Sequence, residues 1–167
     1  MNEHLNSRTK SILLVLVLSL ALAIIVLDTT LLNVSLGAII KDFDTNIQSI
    51  QWVITAYALT LTAFTILGGR LGDIFGRRKM FVLGAIIFAI GSFITSISQN
   101  IPTMIIGESI IEGLGAALMM PATLSILITS FHGRSRAMAM GMWGGVAGAA
   151  SALGPVLGGY LTTHHSW

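Results

Sequence analysis

The chain has 167 residues, of which 54% are hydrophobic and 10% are charged, and its net charge is +2. An average soluble domain is about 25% charged, so this composition excludes an ordinary water-soluble core and predicts lipid as the main solvent. The absence of Cys excludes disulfide and thiol chemistry, and no interleaving of basic and aromatic residues points to a nucleic-acid partner.

Five apolar stretches follow a polar N-terminal tail at residues 1–11. Each is close to or above the about 20 residues that a helix needs to cross the hydrocarbon core. A signal peptide ending near Ala21-Leu22-Ala23 is the alternative for the first stretch, but the apolar run continues far beyond a signal core of about 7–15 residues. The sequence therefore predicts an all-α integral membrane domain over 12–167, with helices at about 12–36, 50–69, 80–98, 103–131 and 138–163.

The most charged segment runs from Gly69 to Lys79, between the second and third predicted helices. Its three glycines, Gly69, Gly72 and Gly76, favour a tight reversal of the chain. This segment, the N-terminal tail and the loop after the fourth helix fall on one side of the membrane if the spans alternate. They hold all but Lys41 of the nine basic residues, so the positive-inside rule predicts a cytoplasmic N-terminus.

Asp28 lies inside the first predicted helix. A carboxylate at bilayer depth costs about 2.5–3.5 kcal/mol on insertion scales, so it usually faces a cavity or a partner. Asp28 is therefore a candidate proton or cation site. The alternative is a structural aspartate that Thr29, Thr30 or Asn33 satisfies.

Glu108 and Glu112 lie four residues apart and share one face of the fourth predicted helix. Mutual repulsion and burial both favour protonation, so the pair is a candidate reversible proton carrier. For Glu108 the alternative is that its side chain reaches the outer interface of the membrane. Glu112 is deeper in the span and is the stronger candidate.

The fifth predicted helix is crowded with small residues, which allow helices to approach closely. Pro155 removes a backbone hydrogen bond and should bend this helix. The pattern predicts tight packing, with a bend that shapes or seals a pathway as a further interpretation. The glycines concerned are Gly141, Gly144, Gly145, Gly148, Gly154, Gly158 and Gly159.

No nucleophile–base pair or phosphate-binding loop is present in the sequence, and the four histidines fall in tails or loops. We therefore expect a protein that is not an enzyme and that has no cofactor and no metal site.

Four motifs resemble those of a known family. The pattern Gly69-x-Leu71-x-Asp73-x-x-Gly76-Arg77-Arg78, called the gate motif below, resembles the loop between helices 2 and 3 of the major facilitator superfamily. The run Leu-Asp-Thr-Thr-Leu-Leu-Asn-Val at 27–34 and the pattern Trp52-Val53-x-x-x-Tyr57 resemble its fourteen-helix drug:proton antiporters of the QacA/EmrB type. The antiporter motif, which resembles that of their fifth helix, comprises Gly141, Gly154, Pro155, Gly158 and Gly159.

The resemblance covers about residues 12–167 and implies helices 1 to 5 of an N-terminal six-helix bundle. It identifies the chain as an N-terminal fragment whose missing C-terminal bundle lies in the same or another chain. It implies a multi-pass protein of the cell membrane, inner or plasma, that exchanges protons for amphipathic or cationic compounds by alternating access. The gate motif would latch the cytoplasmic face. The implied proton or substrate residues are Asp28, Asn33, Glu108 and Glu112.

The chain departs from the family pattern in its first, fourth and fifth helices. Ala150 replaces a usual Gly, and Gly37 replaces a usual Pro. The fourth-helix motif usually carries a buried Arg followed by Gln-Gly, whereas this helix has no Arg and has Glu112-Gly113. In the family that Arg is implicated in proton coupling, so its absence shifts the expected coupling role toward Glu112 and Asp28.

Two other interpretations remain open. One is a carrier of the same superfamily for a different solute, against which the antiporter motif argues. The other is a truncated membrane fragment that does not transport, because half a bundle leaves small-residue helix faces without partners.

Overall fold

Five membrane-spanning helices make up the part of the chain that the structure describes. The computed structural model describes the backbone of residues 2–164 and the side chains of residues 9–164. Each helix is long and apolar enough to cross a membrane, which confirms the all-α, five-helix prediction. From first to fifth the helices are Asn2–Asp42, Ile47–Phe75, Arg77–Ser96, Ile101–Ser130 and Gly133–His164.

The first, second and fifth helices extend beyond the predicted spans at both ends. Hydropathy marks the stretch that faces lipid, whereas backbone hydrogen bonding continues into the polar flanks until a capping residue or glycine stops it. The backbone of the predicted tail, residues 1–11, is helical from Asn2. The side chains up to residue 8 lie outside the described residues, and they include Arg8, one of the basic residues used to predict the orientation. Two asparagines cap later helices: Asn46 Oδ1 accepts from Ser49 N, and Asn100 Oδ1 accepts from Thr103 N, both at 2.9 Å.

The reversal between the second and third helices is shorter than predicted. Only Gly76 interrupts the helices, with φ +98°, a conformation that side-chain-bearing residues rarely adopt. Gly69 and Gly72 instead lie inside the second helix. The helix continues through this stretch because it packs against the fourth helix: a Cβ at Gly68 would collide with the backbone carbonyl of Ala117.

The fourth helix is the centre of the bundle. Of its most apolar stretch, 61% is buried, against 39% or less in each of the other four helices. It packs between the second and third helices, while the first helix packs mainly against the fifth. Three buried apolar clusters follow the bundle from one end to the other; they contain Val15, Leu18, Ile126, Leu127 and Ala139, then Ala21, Ile25, Tyr57, Phe88, Ala116 and Met119, then Ile39, Ile50, Val53 and Met104.

The antiporter motif contacts the first helix at two glycines. A Cβ at Gly154 would overlap the side chain of Thr30, and a Cβ at Gly158 would meet Leu31 and Val34 at 3.2 Å. The predicted close approach is therefore present at these two positions. Other glycines of the fifth helix, Gly141, Gly144, Gly145, Gly148 and Gly159, have no such neighbour within 4 Å. The helix continues through Pro155 to His164, and a pathway-shaping role for this motif stays a prediction.

Candidate functional site

Three carboxyl groups meet between the first and fourth helices. One carboxyl oxygen from each of Asp28, Glu108 and Glu112 lies within 4.8 Å of those of the other two; we call this group the carboxyl cluster. Glu112 is fully buried and Glu108 is 3% exposed, so neither reaches the membrane interface as the alternative for Glu108 required. The fourth predicted site residue, Asn33, is exposed, and its Nδ2 donates to the Thr29 carbonyl at 2.7 Å.

A π-helical segment, Ile105–Glu112, places both glutamates in this cluster. In an α-helix, residues four apart are offset by about 40° around the axis. A π-helix closes i→i+5 hydrogen bonds and has a wider turn, so the angle between Glu108 and Glu112 around the helix axis differs from that in an α-helix. The sequence predicted a shared face but not the π-helical form, because periodicity does not distinguish a short π segment from an α-helix.

The neighbours that could have satisfied Asp28 bond to the backbone instead. Thr29 Oγ1 donates to the Val26 carbonyl at 3.0 Å, and Thr30 Oγ1 donates to the same carbonyl at 2.8 Å. Asp28 Oδ2 is buried and makes no hydrogen bond among the described residues. The structural alternative for Asp28 therefore has no support from these contacts.

The carboxyl cluster has more buried acceptors than hydrogen-bond donors. Both oxygens of Glu112 and Oε1 of Glu108 also lack a partner among the described residues. A buried polar group without a partner is costly, and a buried charge is more so unless it is paired. The Lys and Arg residues of the described chain lie near the helix ends, away from this depth. Protons shared between the carboxyls, or a bound cation, would remove this cost.

Tyr57 is a member of the site that the sequence did not single out as functional. It lies on the second helix, is 6% exposed, and its hydroxyl has no hydrogen-bond partner among the described residues. It is close enough to interact electrostatically with all three carboxyls. A tyrosine hydroxyl can donate to a carboxylate. Tyr57 is part of the second-helix pattern Trp52-Val53-x-x-x-Tyr57, but only the packing of three helices places it beside Asp28.

The three carboxyls are also chemically suited to a hard metal ion. Oxygen ligands 4.8 Å apart or closer fit around an ion such as Ca²⁺, whose bonds to oxygen are about 2.3–2.6 Å long. The sequence-based expectation of no metal site stays a prediction.

The gate motif forms a second polar site beside the C-terminal end of the fourth helix. Arg77 Nη2 and Asp73 Oδ1 form an ion pair at 3.1 Å, and Arg77 Nη1 donates to the Ser125 carbonyl at 3.4 Å. These contacts tie the reversal at Gly76 to the fourth helix. They border a cavity of about 300 Å³, while Leu71 and Arg78 are exposed.

The comparisons with known proteins agree with these features. The family model of the Major Facilitator Superfamily matches residues 18–167. The riboflavin transporter RibZ of Clostridioides difficile is 39% identical over 84% of this chain and 31% of its own length. The methylenomycin A resistance protein of Bacillus subtilis is 36% identical over 99% of this chain and 35% of its own length. The multidrug transporter protein MdtP of B. subtilis is 32% identical over 96% of this chain and 29% of its own length.

The chain thus spans about a third of the length of the curated relatives that it matches. The match covers nearly the whole chain, including the carboxyl cluster, the gate motif and the antiporter motif. Together with the five membrane-spanning helices, it shows that this chain belongs to the Major Facilitator Superfamily, a family of transporters and not of enzymes.

Proposed function

We propose that this chain is part of a proton-coupled exporter of amphipathic compounds, cationic ones among them, that works by alternating access. The carboxyl cluster is the observation that carries this proposal, because it puts three ionisable groups at membrane depth without a basic partner among the described residues. Intramembrane carboxyls of this kind mark proton relays and ion pathways. The resistance and multidrug relatives support export as the direction of transport.

The cluster would couple proton movement to substrate movement, because protons and a cationic substrate would compete for its negative charge. Two carboxylates at most 4.8 Å apart repel by about 3 kcal/mol or more at an effective dielectric constant of about 20. Full ionisation is therefore unfavourable unless a cation is present. A cationic substrate that enters would displace protons, and protons from the other side of the membrane would displace the substrate. For a neutral amphipathic substrate, the protonation state would instead select the conformation of the bundle.

Alternating access requires a second bundle, in the same or another chain, with the substrate near mid-membrane between the two. The gate motif lies near the end of the spans, where Arg77 bridges Asp73 and the Ser125 carbonyl. We infer that this network latches the cytoplasmic face in one conformation. The N-terminus would be cytoplasmic and the membrane would be the cell membrane, in agreement with the placement of the basic residues.

The test is substrate-driven proton release from everted membrane vesicles that contain the full-length protein. Asp28→Asn and Glu112→Gln should each abolish proton exchange and export without loss of membrane insertion, because they remove an ionisable group and keep its shape. Asp44→Asn is the matched control: Asp44 lies in a loop with φ +45°, which Asn tolerates. Export that keeps its pH dependence in both cluster variants would contradict the proposal.

A carrier for another solute is the second candidate, and the 39% identity to a riboflavin transporter favours it. Cells that express the full-length protein would distinguish the two. Accumulation of labelled riboflavin above that of control cells, without drug resistance, would support the carrier. Resistance with reduced drug accumulation would support the exporter.

The third possibility, a non-transporting chain, concerns these 167 residues alone. Purified chain in proteoliposomes should give no proton-coupled flux if a second bundle is required. Flux from the isolated chain would contradict that requirement.

A further inference from the structure

We propose that Ser109 is a positioning residue of the carboxyl cluster: its hydrogen bond to the second helix holds the segment Ile105–Glu112 in the π-helical form. That form sets Glu108 and Glu112 against Asp28. The inference rests on the proposed function only in taking the cluster as the proton or cation site.

The hydrogen bond of Ser109 joins two helices in the most buried part of the bundle. Ser109 Oγ donates to the Val53 carbonyl at 2.7 Å, and both residues are fully buried. Several other hydroxyls of the described spans bond to a carbonyl three or four residues away in their own helix, as Ser35 does with Leu31. The Ser109 bond therefore ties the π-helical segment to a fixed point on its neighbour.

Tyr57 lies one helical turn after Val53 and on the same face of the second helix. The Ser109 bond therefore also fixes the height of the Tyr57 hydroxyl relative to the two glutamates. One serine thus sets the register between the second helix, which carries Tyr57, and the fourth, which carries Glu108 and Glu112.

The third helix leaves room for the wide turn on the opposite side. A Cβ at Gly91 would lie 2.6–2.8 Å from the backbone N, Cα and Cβ of Glu112. A Cβ at Gly107 would lie 2.7 Å from the hydroxyl of Thr95. The π-helical segment thus fits between a hydrogen bond on one side and close glycine contacts on the other.

Without the Ser109 bond, the segment would relax toward α-helical geometry. One glutamate would then turn around the helix axis relative to the other, so at least one carboxyl would move away from Asp28. The groups that face the cluster are Asp28 from the first helix, Tyr57 from the second and the Thr95 hydroxyl from the third. None of these can replace the lost contact between helices.

The test is infrared spectroscopy of the carboxyl C=O bands, recorded on the whole chain in lipid nanodiscs across a pH series. Glu108→Gln should remove one band. Ser109→Ala should keep all bands but move the one that Glu108→Gln identifies, because the group remains and its surroundings change. Ser109→Cys retains the shape and a weak donor, so its spectrum should lie between those of the Ala variant and the wild type.

Ser35→Ala is the matched control, since it removes a hydroxyl bond within one helix. Circular dichroism should show equal helix content in all variants. In the full-length protein, Ser109→Ala should lower the turnover number for export by about 10–100-fold, a loss of the size seen when a residue that orients a metal ligand is removed, with KM unchanged.

An unchanged Glu108 band in Ser109→Ala would overturn the positioning role, and so would an equal shift in Ser35→Ala. If Ser109→Ala does not fold, Ser109→Cys takes its place in the test: a shifted Glu108 band supports the positioning role, and an unchanged band overturns it. Because the spectra require no transport, they remain valid if the cluster variants show that the proposed export function is wrong.

Discussion

Gly91→Ala tests the packing that holds the fourth helix against the third. The added Cβ would lie 2.6 Å from Glu112 N and 2.8 Å from its Cα and Cβ. Carbon atoms pack favourably at about 3.5–4.0 Å, so the helices must separate by about 1 Å at this point. The atoms in the way are mostly backbone and cannot rotate aside. Overpacking of this kind costs about 1–3 kcal/mol, and we expect a loss of that size in the free energy of unfolding.

The matched control is Gly145→Ala, which makes the same chemical change where a Cβ has no such neighbour within 4 Å. That substitution should leave stability unchanged or raise it by up to about 1 kcal/mol, because Ala favours a helix more than Gly does. Both variants should be unfolded by SDS in mixed micelles and followed by circular dichroism and by Trp fluorescence.

Equal stability of the two variants would refute the reasoning, because it would mean that the contact between Gly91 and Glu112 does not constrain the helices. A loss of stability in Gly91→Ala without a change in the carboxyl infrared bands would refute only the link between this packing and the carboxyl cluster. It would show that the helices can separate without disturbing the π-helical segment.

Two further predictions concern the antiporter and gate motifs. Gly154→Ala should weaken packing of the fifth helix on the first by about 1–3 kcal/mol, since its Cβ would overlap Thr30, whereas Gly159→Ala should be neutral in the same SDS titration. Arg77→Gln should change stability by no more than about 1 kcal/mol, because its ion pair is largely exposed, yet should reduce export in vesicles if the network is a latch. Undiminished export by Arg77→Gln would contradict the latch.

The sequence by itself determined the membrane architecture. Runs of about 20 apolar residues have few alternatives to spanning helices in lipid, so five spans could be assigned without tertiary information. Asp28 and Glu112 could be singled out for the same reason, because an ionisable residue within a span is costly wherever it points. These are local properties of the chain.

Only the tertiary structure decided which of these residues meet. Asp28 and Glu108 are 80 residues apart in the sequence, and their contact depends on how the first helix lies against the fourth. Asn33 belongs to the same first-helix motif as Asp28, but its side chain bonds to its own helix.

The π-helical segment and the site of the reversal also depended on packing. Ser109 bonds across to Val53, and Gly91 leaves the space that a wide turn needs, so neither feature can be derived from periodicity alone. Gly69 and Gly72 favour a turn locally, yet the second helix continues through them because it packs against the fourth. Sequence patterns record the preference of each segment, whereas contacts between distant helices select the conformation that buries them best.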